Sequence, residues 1–169
     1  MINRRIVGGY VTRWSGFAFL PGALEGLALL ARHAALVVVV TNQAGIGKGL
    51  MSEADFADIT GRMVAAVDGA GGRIDGVFHC PHRADACCTC RKPAIGLAEQ
   101  AAAAFAGLDL SRAVLIGDAD SDIAMANALG IASVLVTPEP RSVRAAASAY
   151  AADLLAAATL LSASAETAG

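Results

Sequence analysis

The sequence predicts an α/β fold, a parallel sheet with helices on both faces, and three observations carry that prediction. Short continuous apolar runs, such as Leu36 to Thr41 and Ala132 to Val136, read as strands buried on both faces. Segments of helical periodicity alternate with these runs along the whole chain, the pattern of repeated βα units. Turns rich in Gly, Thr and Asp come after several of the runs, at the strand ends where open parallel sheets bind ligands.

Pro21-Gly22 opens a helix over Ala23 to His33, with Leu24, Leu27 and Leu30 on one face. Leu36 to Thr41 is the first strand. Ser52 with Asp55 resembles a capping box, and the helix it starts continues to about Asp68, where Gly69 to Gly72 break it. Ile74 to His79 is a second strand, succeeded by an irregular Cys-rich loop. Gly96 to Ala106 is an alanine-rich helix and Ala113 to Ile116 a third strand. Ser121 to Leu129 is helical, stopped by Gly130. Ala132 to Val136 is a fourth strand, closed by Thr137-Pro138. A last helical region spans roughly Val143 to Leu161, so residues 1–161 form a single domain and 162–169 a flexible tail.

Composition narrows the function. Of 169 residues, 56% are hydrophobic and 17% charged, which excludes disorder over most of the length. A net charge of −2 argues against a nucleic-acid binder. Mean hydropathy is high (+0.56), yet the run Ala34 to Val40 is too short to cross a bilayer and Asp153 interrupts the alanine-rich stretch. No apolar leader comes after Met1-Ile2-Asn3-Arg4-Arg5, so a cytoplasmic monomer is expected, with no nucleic-acid or membrane partner. Its four cysteines, Cys80, Cys87, Cys88 and Cys90, would stay reduced there, which favours a metal over disulfides.

Three motifs carry chemistry. Thr41-Asn42-Gln43-Ala44-Gly45-Ile46-Gly47-Lys48-Gly49 places a hydroxyl, amides and a glycine-rich turn just past a strand, where they can donate to phosphate oxygens. Its spacing is not that of a Walker A loop. Cys80-x-His82-x5-Cys88-x-Cys90 offers three thiolates and an imidazole, a closed tetrahedral set of the structural-zinc type. Cys87 can replace Cys88 as a ligand, and Cys87 with Cys90 also reads as a redox C-x-x-C; the symmetric spacing favours Cys88. Arg91-Lys92-Pro93 then supplies two cations on a stiffened exit. Finally, Ile116-Gly117-Asp118-Ala119-Asp120-Ser121-Asp122 collects three carboxylates after a strand, where repulsion calls for a cation such as magnesium. A helix cap at Asp120 would explain one of the three.

Together these residues resemble the haloacid dehalogenase (HAD) phosphohydrolases, and among them the small capless branch of heptose bisphosphate and histidinol-phosphate phosphatases. Members show T-N-Q-[SA]-G-I-[AG]-[RK]-G, then C-x-H-x(n)-C-x-C-R-K-P, then G-D-x-x-x-D, which appear here in that order. The resemblance implies a Rossmann-like core without a cap domain and a magnesium-dependent phosphatase acting on a sugar phosphate. The 7-phosphate of a heptose 1,7-bisphosphate is the expected substrate and histidinol phosphate the alternative. It further implies that Thr41, Asn42 and Gln43 bind the transferred phosphoryl group. Lys92 neutralises that group, Arg91 contacts the substrate, and Asp118 ligates magnesium. Asp122 joins the magnesium shell or orients Lys92. Structural zinc sits on Cys80, His82, Cys88 and Cys90.

One part of the family pattern is not in the chain. The relatives begin their chemistry with D-x-D-G-[TV] at the end of the first, central strand: one Asp attacks phosphorus, the other acts as acid and base. Ile2-Asn3, Gly9-Tyr10-Val11 and Phe17-Ala18-Phe19-Leu20-Pro21-Gly22 match the family segments immediately C-terminal to that motif, so Met1 falls on its last position. No aspartate precedes Asp55. The first strand and both carboxylates are therefore expected upstream of residue 1, and a valine GTG codon read as the start would account for it. On that reading the chain as written is marginal or unfolded in isolation, and inactive; a non-catalytic relic that keeps the zinc and phosphate sites is the alternative of another class.

Overall fold

The computed structural model describes residues 1–137 and 146–166, with side chains to residue 163. Helix α1 covers Ala23–His33, strand β1 Val38–Asn42, the short helix α2 Ala44–Gly47 and α3 Glu53–Gly69. Strand β2 is Gly76–Cys80, α4 Gly96–Ala104, β3 Val114–Gly117, α5 Asp120–Leu129 and β4 Ala132–Val136. Strand β5 (Ala149–Ala151) and helix α6 (Leu154–Glu166) complete it.

All strand pairs are parallel, but they form two sheets: β1 with β2, and β3-β4-β5. Among the described residues no ladder joins β1 to β3. The seam is filled by side chains instead. Ile2 is buried, and Met1, Val39 of β1 and Ile116 of β3 all pack against the core cluster that contains it. Residues 1–4 run antiparallel beside 17–20, bridged at Asn3 and Phe19 and tied by Arg4 N–H to the Ala18 carbonyl at 2.8 Å.

Strand alternation decides which helices cover which face. Val39 and Val77, in register neighbours of one another, face a layer of Leu27, Met63, Val67 and Leu154 from α1, α3 and α6. Val40 and Phe78 point the other way, onto Leu97 of α4 together with Cys80 and Cys90. In the second sheet Val134 and Val136 pack on Ala157 of α6. The helices therefore lie on both faces, as the apolar strand runs predict.

The shifts from the sequence reading have local causes. Strand β1 starts two residues later than Leu36 because Val37 is bracketed by Asp75, whose carboxylate accepts its N–H at 2.7 Å and whose own N–H donates to the Val37 carbonyl at 2.8 Å. The same bracket delays β2, which then runs on to Cys80. Helix α3 has the Ser52–Asp55 capping box, with Ser52 Oγ accepting from Asp55 N–H at 3.1 Å. Gly130 ends α5 with φ of +69°, where glycine carries no side-chain penalty.

The last helical region needs correction. Pro138 and residues 143–145 lie outside the described residues, and Ala149–Ala151 is a strand, pairing with Val134–Val136. Helix begins only at Leu154, where Asp153 accepts the Ala156 N–H at 2.8 Å. Alanine composition favours helix, but pairing as the second neighbour of β4 overrides it. The helix then continues through Glu166, beyond the expected start of the tail. No described helix is long and apolar enough to cross a membrane.

Helices α1 and α6 cross at Gly26. A Cβ there would stand 2.9 Å from the carbonyl carbon and oxygen of Leu154, so the two backbones meet without side chains between them. Gly26→Ala is expected to lower the unfolding free energy by roughly 1–3 kcal/mol, read from urea denaturation, despite alanine's better helix propensity.

Candidate active site and metal centre

Parallel pairing sets Asn42 opposite Cys80, so the carboxyl ends of β1 and β2 bring the Thr41 turn and the metal loop together. Gln43 N–H donates to the Cys80 carbonyl at 2.8 Å, and Gly47 N–H to the Pro81 carbonyl at 2.9 Å. A Cβ on Gly47 would lie 2.6 Å from that carbonyl oxygen, which accounts for glycine in this turn. Within it the Gln43 amide donates to Thr41 Oγ1 at 3.0 Å, which leaves the hydroxyl proton for an anion.

Lys92 reaches this strand end from the far side of the loop. Its Nζ donates to the Val40 carbonyl at 2.7 Å and pairs with Asp122 Oδ1 at 2.7 Å. Both side chains are largely shielded, at 12% and 7% exposure, so the pair is a buried one. An ammonium has three N–H donors, and these two contacts leave one for a ligand.

The three carboxylates after β3 separate into distinct roles. Asp122 spends its second oxygen on the N–H groups of Asp118 and Ala119, at 3.1 and 3.0 Å, closing the start of α5. With both oxygens engaged it stands on Lys92 and the helix cap, not in an open metal shell. Ala119, not Asp120, is the N-cap residue, and Asp120 is exposed. Asp118 is half exposed at the strand end, and the Met1 ammonium lies 2.9 Å from its Oδ2. Asp118 is therefore the carboxylate of the three that lies at the strand end without a role in the helix cap, and magnesium uses one or two carboxylates, filling its shell with water and phosphate oxygens.

Gly117 makes this arrangement possible. A Cβ there would fall 2.2 Å from the Asp122 Cβ. Gly117→Ala is expected to push Asp122 off Lys92 and cost about 2–3 kcal/mol of stability, together with phosphate binding, in a denaturation and titration pair of measurements.

Cys80, His82, Cys88 and Cys90 form one cluster whose ligand atoms all lie within 4.8 Å of one another. The Cys80–Cys88 and Cys88–Cys90 sulfurs are 3.6 Å apart, and His82 Nδ1 is 3.6 Å from Cys80 and 3.3 Å from Cys90. A zinc ion with bonds of about 2.0–2.3 Å requires tetrahedral edges of roughly 3.3–3.8 Å, so the donor set fits. Cys87 is outside the group: it is exposed, at φ of +48°, with its thiol 3.8 Å from the Asp85 carbonyl.

The thiols are unequal. Burial opposes ionisation of Cys88, but hydrogen bonds from the Arg91 backbone and from the Cys80 and Cys90 groups outweigh it and hold its pKa down to about 6. Burial, then the contacts and charges of Cys80 and Cys88, pushes Cys90 up to about 12. A bound divalent ion would have to displace the Cys90 proton. Zinc affinity is therefore expected to rise with pH above about 6, since fewer protons compete as pH increases; chelator competition at several pH values tests it.

The loop is pinned at its exit as well. Gly96 N–H donates to the Thr89 carbonyl at 3.2 Å, and a Cβ on Gly96 would meet that oxygen at 2.6 Å. Arg91 Nη1 reaches the His82 carbonyl at 3.5 Å, over the metal loop. Two partners gave no sequence signal. Glu53 pairs with His79 at 2.8 Å across twenty-six residues, and the Val40 carbonyl serves Lys92 through its backbone alone. The Asn42 side chain is bonded to the Lys92 backbone.

Similarity to known proteins agrees with this geometry. The HAD-hydrolase-like family model matches residues 89–162. D-glycero-alpha-D-manno-heptose-1,7-bisphosphate 7-phosphatase of Mycobacterium tuberculosis (strain CDC 1551 / Oshkosh) is 38% identical over 133 residues, 79% of this chain and 70% of that protein. D-glycero-beta-D-manno-heptose-1,7-bisphosphate 7-phosphatase of Vibrio cholerae serotype O1 is 35% identical over 135 residues, 76% of this chain and 72% of that protein. The crystal structure of D,D-heptose 1,7-bisphosphate phosphatase from B. bronchiseptica, complexed with magnesium and phosphate, superposes with a TM-score of 0.82 at 30% identity, over 96% of this chain and 93% of that one. With the strand-end site and these relatives in agreement, the chain belongs to the HAD-like phosphatases, in the group that contains the heptose-1,7-bisphosphate 7-phosphatases.

Proposed function

We propose that residues 1–169 form the phosphate- and metal-binding body of a magnesium-dependent phosphomonoesterase for the 7-phosphate of a D-glycero-D-manno-heptose 1,7-bisphosphate. The observation that carries this reading is the buried Lys92–Asp122 pair at the strand ends, with one ammonium N–H left for an anion. Thr41 binds the phosphoryl oxygens through its hydroxyl, which Gln43 holds in place. Lys92 neutralises charge on that group, and Arg91, beside the metal loop, contacts the remainder of the substrate. Asp118 holds magnesium, which supplies further neutralisation of the phosphoryl oxygens when bound.

Zinc on Cys80, His82, Cys88 and Cys90 is structural in this reading: it braces the loop that carries Arg91 and Lys92. Four donors at tetrahedral spacing, with no fifth group offered among the described residues, support that role. Unpaired thiols suit a reducing compartment, the cytoplasm.

Attack on phosphorus needs a nucleophile, and the sequence has no aspartate before Asp55. The 169-residue chain is accordingly expected to bind phosphate in the presence of magnesium without turning substrate over. Isothermal titration with magnesium and inorganic phosphate tests the binding. Turnover is tested on a panel of heptose bisphosphate, other sugar phosphates and histidinol phosphate, using the chain and a form that carries a D-x-D-G strand ahead of Met1. Phosphatase activity in the extended form alone, strongest on the heptose bisphosphate, is the expected result. Turnover by the 169-residue chain itself would sink the nucleophile argument, and a preference for histidinol phosphate would overturn the substrate.

A further inference from the structure

We infer that Asn42 is a positioning residue for Lys92, and that its side chain does not itself bind the phosphoryl group. The inference rests on the reading of Lys92 as the cation that meets phosphate. The Asn42 side chain makes two complementary hydrogen bonds to one residue: Oδ1 accepts the Lys92 N–H at 3.0 Å, and Nδ2 donates to the Lys92 carbonyl at 3.1 Å. Turning the amide over would set donor against donor and acceptor against acceptor, so the partners fix its orientation. A residue in an antiparallel ladder exchanges the same two bonds with its neighbour. Here a side chain supplies that rung, from the end of β1 to a segment fifty residues further along the chain.

The rung holds Lys92 at both of its ends on one strand. Its backbone is fixed at Asn42, and its ammonium at the Val40 carbonyl two residues earlier. Asp122 adds the third point. A lysine stem has several rotatable bonds, and anchoring both ends removes most of that freedom before any ligand arrives. Asn42 meanwhile has its acceptor and one of its two amide hydrogens committed.

The metal loop explains why such a rung is useful. Lys92 lies two residues beyond Cys90, and the backbone bonds onward to α4, Ala94 N–H to the Arg91 carbonyl and Gly96 N–H to the Thr89 carbonyl, both stay within the loop. Between those points Asn42 is the group that ties the loop backbone to the sheet. It converts a loop braced at the metal into a loop registered on β1.

The test uses the zinc-loaded 169-residue protein labelled with nitrogen-15. The Lys92 ammonium is expected to give a signal protected from exchange, lost in Asn42→Ala and in Asn42→Asp. The aspartate keeps the shape and one bond, but sets a carboxylate oxygen against the Lys92 carbonyl, so it separates loss of the rung from loss of packing. Inorganic phosphate with magnesium is expected to shift the Lys92 ammonium resonance and leave the Asn42 amide resonance in place. Phosphate affinity should fall roughly tenfold in both variants. An ammonium signal equally protected in the two variants would overturn the inference, as would an Asn42 amide that shifts directly with phosphate. Protection that depends on Asn42 combined with no response of Lys92 to phosphate would support the rung and instead defeat the reading of Lys92 on which the phosphate function stands.

Discussion

Lys92→Met is expected to weaken phosphate binding on the order of a hundredfold and to lower the unfolding free energy by about 3–5 kcal/mol. Asp122 keeps only 7% of its side-chain surface exposed and directs one oxygen at the ammonium, 2.7 Å away. Methionine matches the lysine stem in volume but leaves that carboxylate buried without its charge partner. Two N–H groups still hold the other oxygen, so the helix cap survives while the charge does not find compensation. The double variant Lys92→Met with Asp122→Asn removes both charges and should recover most of the stability, because neutral groups of similar shape carry little desolvation cost. It should recover none of the phosphate affinity, which falls on the order of a hundredfold with the cation. Urea denaturation and phosphate titration on the three variants separate the two effects. A Lys92→Met protein as stable as the parent would show that the pair is not shielded as the geometry indicates.

Removal of the metal is the second large effect. Zinc bound at a free concentration about a thousand times its dissociation constant stabilises a folded chain by about 4 kcal/mol. For a domain of this size that corresponds to a fall of about 10 °C in Tm on chelation, and Cys90→Ser should reproduce it. Phosphate affinity should drop in parallel, since Arg91 and Lys92 come directly after Cys90 in the chain. Cys87→Ser supplies the contrast. Its thiol is exposed and outside the ligand cluster, so stability is expected to stay within about 0.5 kcal/mol and zinc content unchanged. Differential scanning calorimetry with zinc quantification checks all three proteins. A metal-free form that melts with the parent would remove the bracing role.

Much of this architecture was legible in the sequence because it is encoded locally. A continuous β-branched run marked β1, a short apolar run marked β4, Ser52 with Asp55 marked the start of α3, and Gly130 marked the end of α5. Strand β5 was not legible: three residues in an alanine-rich stretch become a strand only because β4 has an edge to offer. The Cys/His cluster stood out by spacing, and the symmetric spacing that favours Cys88 over Cys87 agrees with the group of Cys80, His82, Cys88 and Cys90. Asp118 and Asp122 looked alike as acids after a strand. Capping geometry separates them, since Asp122 is turned back onto two N–H groups and Asp118 is not. The family resemblance implies a phosphate role for Asn42, while the backbone of Lys92 holds its side chain. Its partner lies fifty residues away, and no local pattern reports a contact of that kind.

The division into two sheets has a consequence for how the molecule opens. Strand β4 has a partner on each side, and Ser133, Val134 and Leu135 are at most 2% exposed. Its amide protons should exchange with solvent most slowly. Among the described residues β1 and β3 each have a single strand partner, and packing of Met1, Ile2, Val39 and Ile116 closes the space where a ladder would run. In the 169-residue chain, amide exchange should therefore be faster in β1 and β3 than in β4.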